Sequence, residues 1–295
     1  MAVTTLPATR SRIGAYVALT KPRIIELLLV TTVPVMFVAE QGVPDLRLVL
    51  LTVLGGSLAA GGANAINRVV DRDIDALMER TQNRPLVTGE LTPRAALAFA
   101  VGLEVAAFAL LWGTVNLLSA VLAVAACLFY VFVYTLWLKR TSRQNIVIGG
   151  AAGAVPTLIG WTAVTGRLDW APVVLFAVIF FWTPPHFWAL AIRYREDYSA
   201  AAVPMLPSVA DDRTVGRQIV AYTVVVWALT VVFVPVADMG WLYTAAAVVL
   251  GAVFTVQSVR LAADPTPPRA MALFHWSITY VSLLFGVMAV DPLLS

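Results

Sequence analysis

Residues 48–89 read LVLLTVLGGSLAAGGANAINRVVDRDIDALMERTQNRPLVTG. The stretch passes without a break from an apolar run, 48–66, into a polar one that holds Asn67, Arg68, Asp71, Arg72, Asp73 and Asp75. An uncharged run of that length matches the roughly 20 residues of a helix that crosses a bilayer. It is too long and too continuously apolar for a barrel strand, whose pattern alternates over about 10 residues. Backbone N–H and C=O groups in hydrocarbon need internal partners, which leaves the helix. Asn67, Asp71 and Asp75 follow at intervals of four, a spacing that places all three on one helix face.

The same apolar habit extends along the chain. Of 295 residues, 60% are hydrophobic and 13% charged, where a soluble domain carries about 25% charged residues. Mean hydropathy is +0.84. The expected fold is an all-α polytopic membrane protein, one membrane-embedded domain over 1–295. Its nine spans are read at 24–39, 48–66, 95–112, 117–138, 145–165, 170–192, 219–236, 241–261 and 273–290. Residues 1–20 read as a short cytoplasmic segment without the apolar core and cleavage site of a signal peptide.

Lys and Arg sort by loop. With nine spans, 18 of the 20 fall on one side and only Arg47 and Arg167 on the other. The positive-inside rule then puts the N-terminus and the even-numbered loops in the cytoplasm and the C-terminus outside a prokaryotic inner membrane. The net charge of +3 and pI near 9.2 do not point to nucleic acid, because the cations sit in short loops between spans. The lipid bilayer is the partner they imply. Cys127 is the only cysteine and lies in an apolar run, so it reads as a packing residue.

The chemistry lies in two polar loops. Carboxylates at the bilayer centre cost several kcal/mol, so those of the second loop belong in a wet cavity or at the interface. Oxygen donors such as Asn67, Asp71 and Asp75 suit a hard cation, Mg²⁺, which takes one or two carboxylates together with substrate phosphates. Arginines such as Arg80 and Arg84 suit the remaining phosphate oxygens. The sixth loop offers Glu196 and Asp197 as further acids and Arg193 and Arg195 as cations. His186 and His275 are the only histidines, each beside aromatic residues. They are read either as hydrogen-bonded core residues or as heme ligands. Pairs such as Gly55-Gly56 and Gly149-Gly150, and Gly153, read as sites of close helix contact.

Asn67, Asp71, Ile74-Asp75, Met78, Arg80-Thr81, Arg84 and Gly89 match the first aspartate-rich signature of the UbiA-type intramembrane prenyltransferases, which the chain resembles from Leu19 to its last span. Leu19-Thr20-Lys21-Pro22-Arg23, Tyr134-Thr135, Lys139-Arg140-Thr141, Gln144-Asn145-Ile146 and Asp197-Tyr198 followed by Pro204-Met205-Leu206-Pro207 resemble its heme-modifying branch. The resemblance implies nine transmembrane helices around a central cavity that opens laterally to lipid. It implies transfer of a farnesyl group from farnesyl diphosphate to a vinyl group of heme b, with water added, giving heme O and diphosphate. By the same resemblance Asn67, Asp71 and Asp75 hold Mg²⁺, Asp197 with Glu196 contributes a second metal site, and Lys21, Arg72, Arg84, Lys139, Arg140 and Arg193 contact the diphosphate. His186 and His275 are the residues set against heme, and a heme-handing partner in terminal oxidase assembly fits the same picture. The second motif departs from aromatic prenyltransferases in having Asp197 as its single aspartate. The alternatives are a UbiA-type enzyme acting on 4-hydroxybenzoate or another quinone or chlorophyll precursor and, more remotely, a cation-coupled transporter.

Overall fold

The computed structural model describes residues 11–294 and, except for 23–29, their side chains. Arg10 and the side chains of Arg23 and Glu26 therefore lie outside the described residues. Eight helices among the described residues are long and apolar enough to cross a membrane. These are α3 (Leu46–Val70), α5 (Pro93–Thr114), a composite rod over Leu117–Thr141, α8 (Asn145–Thr165), α9 (Trp170–Arg193), α12 (Asp212–Val236), α13 (Trp241–Ala263) and α14 (Pro267–Val290, with one further turn to Leu293). One more long helix, α2 (Pro22–Glu40), occupies the first expected span, and Val30–Glu40 is its described apolar part. The chain is an integral membrane protein of all-α class. Short helices complete it: α1 (Arg12–Thr20), α4 (Arg72–Leu77), α10 (Arg195–Ala200) and α11 (Leu206–Val209). Within the rod, α6 (Leu117–Leu128) leads into a π-helix (Phe129–Leu138) and then α7 (Lys139–Thr141).

Helix starts follow local chemistry. Asp45, Thr92, Asn116 and Asp211 each accept a first-turn backbone N–H with the side chain, which satisfies one of the donors a helix start leaves unpaired. Pro22, Pro93 and Pro267 open α2, α5 and α14, where the missing N–H matters least. At Asp71 the helix is reset, with α3 ending at Val70 and α4 starting at Arg72. The N–H of Asp71 still bonds the Asn67 carbonyl and that of Asp75 the Asp71 carbonyl, both at 2.8 Å. The four-residue ladder thus survives the reset, and the face read from the sequence persists.

Side-chain volume divides the bundle. Between α9, α12, α13 and α14 the space is filled by Trp188, Phe233, Tyr243, Phe254, Tyr280 and Phe285. Between α3, α6 and α8 the facing residues are mostly glycine and alanine, and a chamber remains. The glycines do not all serve one purpose. A Cβ at Gly55 would lie 2.6 Å from Leu111, one at Gly61 3.2 Å from Thr20, and one at Gly150 3.0 Å from Thr183. These are close helix contacts, as expected. Gly56 and Gly153 are different, for a Cβ there would meet nothing within 4 Å.

The same geometry makes Gly251 a test of packing, since a Cβ there would overlap the Trp227 ring. Gly251→Ala is expected to destabilise the bundle by about 1–3 kcal/mol, the usual result of overfilling a packed contact. Gly102→Ala, where a Cβ meets open space, is expected to be neutral or slightly stabilising. Unfolding of both variants in detergent, followed by circular dichroism, checks the contrast.

Candidate active site

The polar run at the end of α3 folds into a buried cluster. Asn67, Asp71 and Asp75 are 3%, 0% and 1% exposed. The Asn67 amide donates to Asp71 Oδ2 at 2.6 Å and to Thr135 Oγ1 at 3.2 Å. Lys139 Nζ donates to the same Asp71 oxygen. Lys21 Nζ donates to Asn67 Oδ1 at 3.2 Å. Arg84 Nη1 donates to both oxygens of Asp75, at 2.7 and 2.6 Å. The Thr81 hydroxyl donates to the Asp75 carbonyl at 2.7 Å and fixes the end of α4. One oxygen is left over: Asp71 Oδ1 is buried, accepts no hydrogen bond, and has Arg140 Nη2 at 3.8 Å.

Cations outnumber carboxylates here. The Lys21 ammonium is held well below the usual lysine range, first by burial and then by repulsion from Arg68, Arg84 and Lys139, while Asp71 pulls the other way. Arg84 and Lys139 pair with the buried carboxylates Asp75 and Asp71, Lys21 reaches Asn67, and Arg68 lies within electrostatic reach of Lys21. At the rim, Arg140 forks onto Asp73, 2.7 Å to each oxygen, and holds that carboxyl at about 2. An excess of half-buried positive charge at the end of an apolar span is a site for an anion.

The π-helix brings this cluster together with the chamber. Its turn takes about 4.4 residues in place of 3.6, because the hydrogen bond runs i→i+5. Tyr130 and Lys139, nine apart, then share a face, whereas an α-helix would set them on opposite sides. The Thr135 hydroxyl donates to the Tyr130 carbonyl at 2.8 Å and also accepts from Asn67. Tyr130 and Tyr134 stack with centroids 5.3 Å apart and line the chamber. Tyr130 is also within electrostatic reach of Asp71, Arg84 and Arg68. The two rings thus line an apolar hollow of about 310 Å³ next to the charged mouth.

The second motif meets the first. Asp197 Oδ1 accepts the Glu79 N–H at 3.3 Å. The Arg80 guanidinium lies 5.1 Å from the Tyr194 ring centre and 5.9 Å from that of Tyr198. Asn145 ties the Pro204 carbonyl to the start of α8 at 3.3 Å. Arg72, Arg193 and Glu196 are exposed. Arg195 of the sixth loop pairs with Asp212. Neither histidine lines the chamber. The His186 ring is held between Trp182 and Phe274, 4.3 and 4.7 Å between centroids, with Nδ1 2.7 Å from Ser277 Oγ. His275 is exposed on the outside of α14. Trp188 is fully buried against Tyr222, away from the chamber. Tyr130 and Thr135 join the site without having been singled out by any charge or spacing signal.

Residues 28–279 match the UbiA prenyltransferase family. The chain is 57% identical over 290 residues to protoheme IX farnesyltransferase of Streptomyces avermitilis, covering 96% of this chain and 95% of that one. It is 55% identical over 290 residues to the protein of the same name from Streptomyces coelicolor, covering 96% and 92%. Its fold is similar to that of a digeranylgeranylglyceryl phosphate synthase, with TM-score 0.79, 16% identity and 96% and 99% of the two chains covered. It is also similar to a UbiA homologue from Archaeoglobus fulgidus bound to GPP and Mg²⁺, with TM-score 0.65, 16% identity and 94% and 100% covered.

Lys21 offers a direct test of the charge excess. Its folded-state value lies below the free-lysine value of about 10.4, so between the two the unfolded chain binds more protons and stability rises with pH. Below that window the buried ammonium opposes folding. Lys21→Met is therefore expected to raise the unfolding midpoint at pH 7. It is also expected to weaken binding of inorganic diphosphate about tenfold, the loss of one charge-assisted hydrogen bond. Thermal melts and calorimetry check both, and unchanged diphosphate affinity removes Lys21 from the site.

Proposed function

Because the chain belongs to the UbiA prenyltransferase family, we infer that its charged mouth takes farnesyl diphosphate and that it transfers the farnesyl group to a vinyl group of heme b, yielding heme O and diphosphate. One observation carries the placement of the donor. Lys21, Arg84 and Lys139 hold Asn67, Asp75 and Asp71, with Arg68 within electrostatic reach of Lys21, directly above an apolar chamber that begins at Tyr130 and Tyr134. A diphosphate head with an isoprenoid tail has that division of polarity. The name shared by relatives at 55–57% identity supports heme as acceptor.

The donor set fits Mg²⁺. Asp71 offers a buried oxygen without a hydrogen bond, the Asn67 amide oxygen is held by Lys21, and Mg²⁺ binds through one or two carboxylates plus phosphate oxygens. No group of three His, Cys, Asp or Glu side chains converges among the described residues, so the phosphates complete the set. When bound, the ion neutralises charge on the diphosphate and lowers the barrier to its departure. Asp197, at the backbone of Glu79, is the candidate for a second contact of this kind.

The chain's own residues do the rest. Lys21, Arg84 and Lys139 take up phosphate oxygens, and their present partners, Asn67 and the two carboxylates, are freed towards the metal. The carbon–oxygen bond of the donor breaks with its electron pair on the diphosphate. The terminal vinyl carbon bonds the allylic carbon, the cation beside the porphyrin takes a water oxygen, and a proton leaves. Tyr130 and Tyr134 present their ring faces at the mouth, where they keep water from the allylic cation and favour its charge. In this reading the mouth faces the cytoplasm of the inner membrane.

Incubation of the purified protein with heme b, farnesyl diphosphate and Mg²⁺, followed by mass analysis of the porphyrin, tests the assignment. Heme O is expected from the wild type. Asp71→Ala is expected to lower the rate by at least about 100-fold, the scale of loss of one electrostatic group at a reacting centre. In a parallel incubation with 4-hydroxybenzoate in place of heme b, a prenylated product, with no heme O formed from heme b, would overturn the choice of acceptor.

A further inference from the structure

Gly56 and Gly153 line the chamber, and a Cβ at either would meet nothing within 4 Å. The neighbouring Gly55 and Gly150 abut Leu111 and Thr183. Helix packing therefore explains the second pair and leaves the first unexplained. What the first pair provides is empty space inside the chamber.

The depth of that space can be measured along the helices. Thr52 and Asn64 mark the two ends of the α3 wall, 12 residues or about 18 Å apart. Gly56 lies eight residues from Asn64, and Gly153 lies seven from Ile146, the lining residue of α8 nearest the mouth. Both glycines thus sit about 11–12 Å below the mouth, at 1.5 Å per residue. The far end is bordered by side chains. Ile159 and Ala123 pack on Leu111 and Ala120. The ends of α6 and α8 are pinned beyond them by Asn116 Nδ2 to the Thr162 carbonyl at 2.7 Å and by the Ser119 and Thr162 hydroxyls at 2.9 Å.

An extended isoprenoid advances about 5 Å per five-carbon unit, given carbon–carbon bonds near 1.5 Å. Three units reach about 15 Å and four about 20 Å, against a wall of about 18 Å. The third unit spans the level of the two glycines. We propose that Gly56 and Gly153 hold open the place of the third isoprene unit and that Ile159 stops a fourth, so that these residues set the length of the prenyl donor. This rests on the reading that the diphosphate occupies the charged mouth.

The test compares geranyl, farnesyl and geranylgeranyl diphosphate on the full chain with Mg²⁺, by calorimetric binding without acceptor and by product mass with heme b. The wild type is expected to bind farnesyl diphosphate best. Gly56→Leu and Gly153→Leu are each expected to shift the farnesyl-to-geranyl binding ratio at least about tenfold towards geranyl, as misfit in an apolar pocket does. Ile159→Ala, which only removes atoms, is expected to gain geranylgeranyl diphosphate. Retained geranyl binding shows that a leucine variant is folded. Equal binding of all three donors by the wild type overturns the proposal, as does an unchanged ratio in the folded variants, because the tail then leaves the chamber sideways. The expected ranking without prenylated porphyrin leaves the proposal standing and removes heme as acceptor. No binding of any donor to the wild type removes the diphosphate site and the proposal together.

Discussion

A carboxylate fully withdrawn from solvent has to be neutralised, and Asp71 is such a carboxylate. Removing one partner of a buried ion pair destabilises by about 3–5 kcal/mol, so the surroundings of Asp71 are as constrained as any core. Its partners come from distant parts of the chain. Asn67 stands on α3 and Lys139 at the end of the π-helix, and Lys21, at the junction of α1 and α2, holds Asn67 in turn. Lys21 itself has a left-handed backbone, φ 53°, a conformation that persists in a non-glycine residue only when its surroundings impose it. Neutralising one acid thus fixes the relative position of three membrane helices at the mouth.

The bundle pairs a solid half with a hollow one. Aromatic residues fill the space between α9 and α12–α14, where close van der Waals packing, not transfer out of water, holds the helices together. The hollow half gives up part of that gain, since small residues leave the chamber walls without neighbours. The solid half and the buried ion pairs offset this. His186 belongs to the solid half. Stacked between Trp182 and Phe274, it acts as a third ring in the α9–α14 contact.

Much of the site was legible because it is local. Asn67, Asp71 and Asp75 lie four apart, so the helix period alone aligns them, and the reset at Asp71 keeps that period. The span positions were legible for the same reason, being contiguous apolar runs. The π-helix was not. FYVFVYTLWL is apolar throughout, and no alternation of polar and apolar positions records which residues share a face. Tyr130 and Thr135 became part of the site only through that change of period. The glycine pairs were ambiguous in a similar way, because Gly55-Gly56 does not say which member meets Leu111 and which opens on the chamber. Arg193 and Glu196 carry charge in the right loop, but both are exposed, where Asp71 and Asp75 are buried.

The α3 helix is crowded on nearly every side. Gly55 meets Leu111, Gly61 meets Thr20, Gly62 lies against Glu104, Ala65 packs with Leu19 and Leu86, and Gly56, Ser57, Ala59, Ala60 and Ala63 border the hollow. Only positions such as Leu50 and Leu54 look outward with large exposed side chains. Heritable variation in this segment is therefore channelled: lipid-facing sites can drift freely among bulky residues, while the inner sites can exchange only among the smallest, and any lineage that enlarges one of them must reshape a neighbouring helix in the same step.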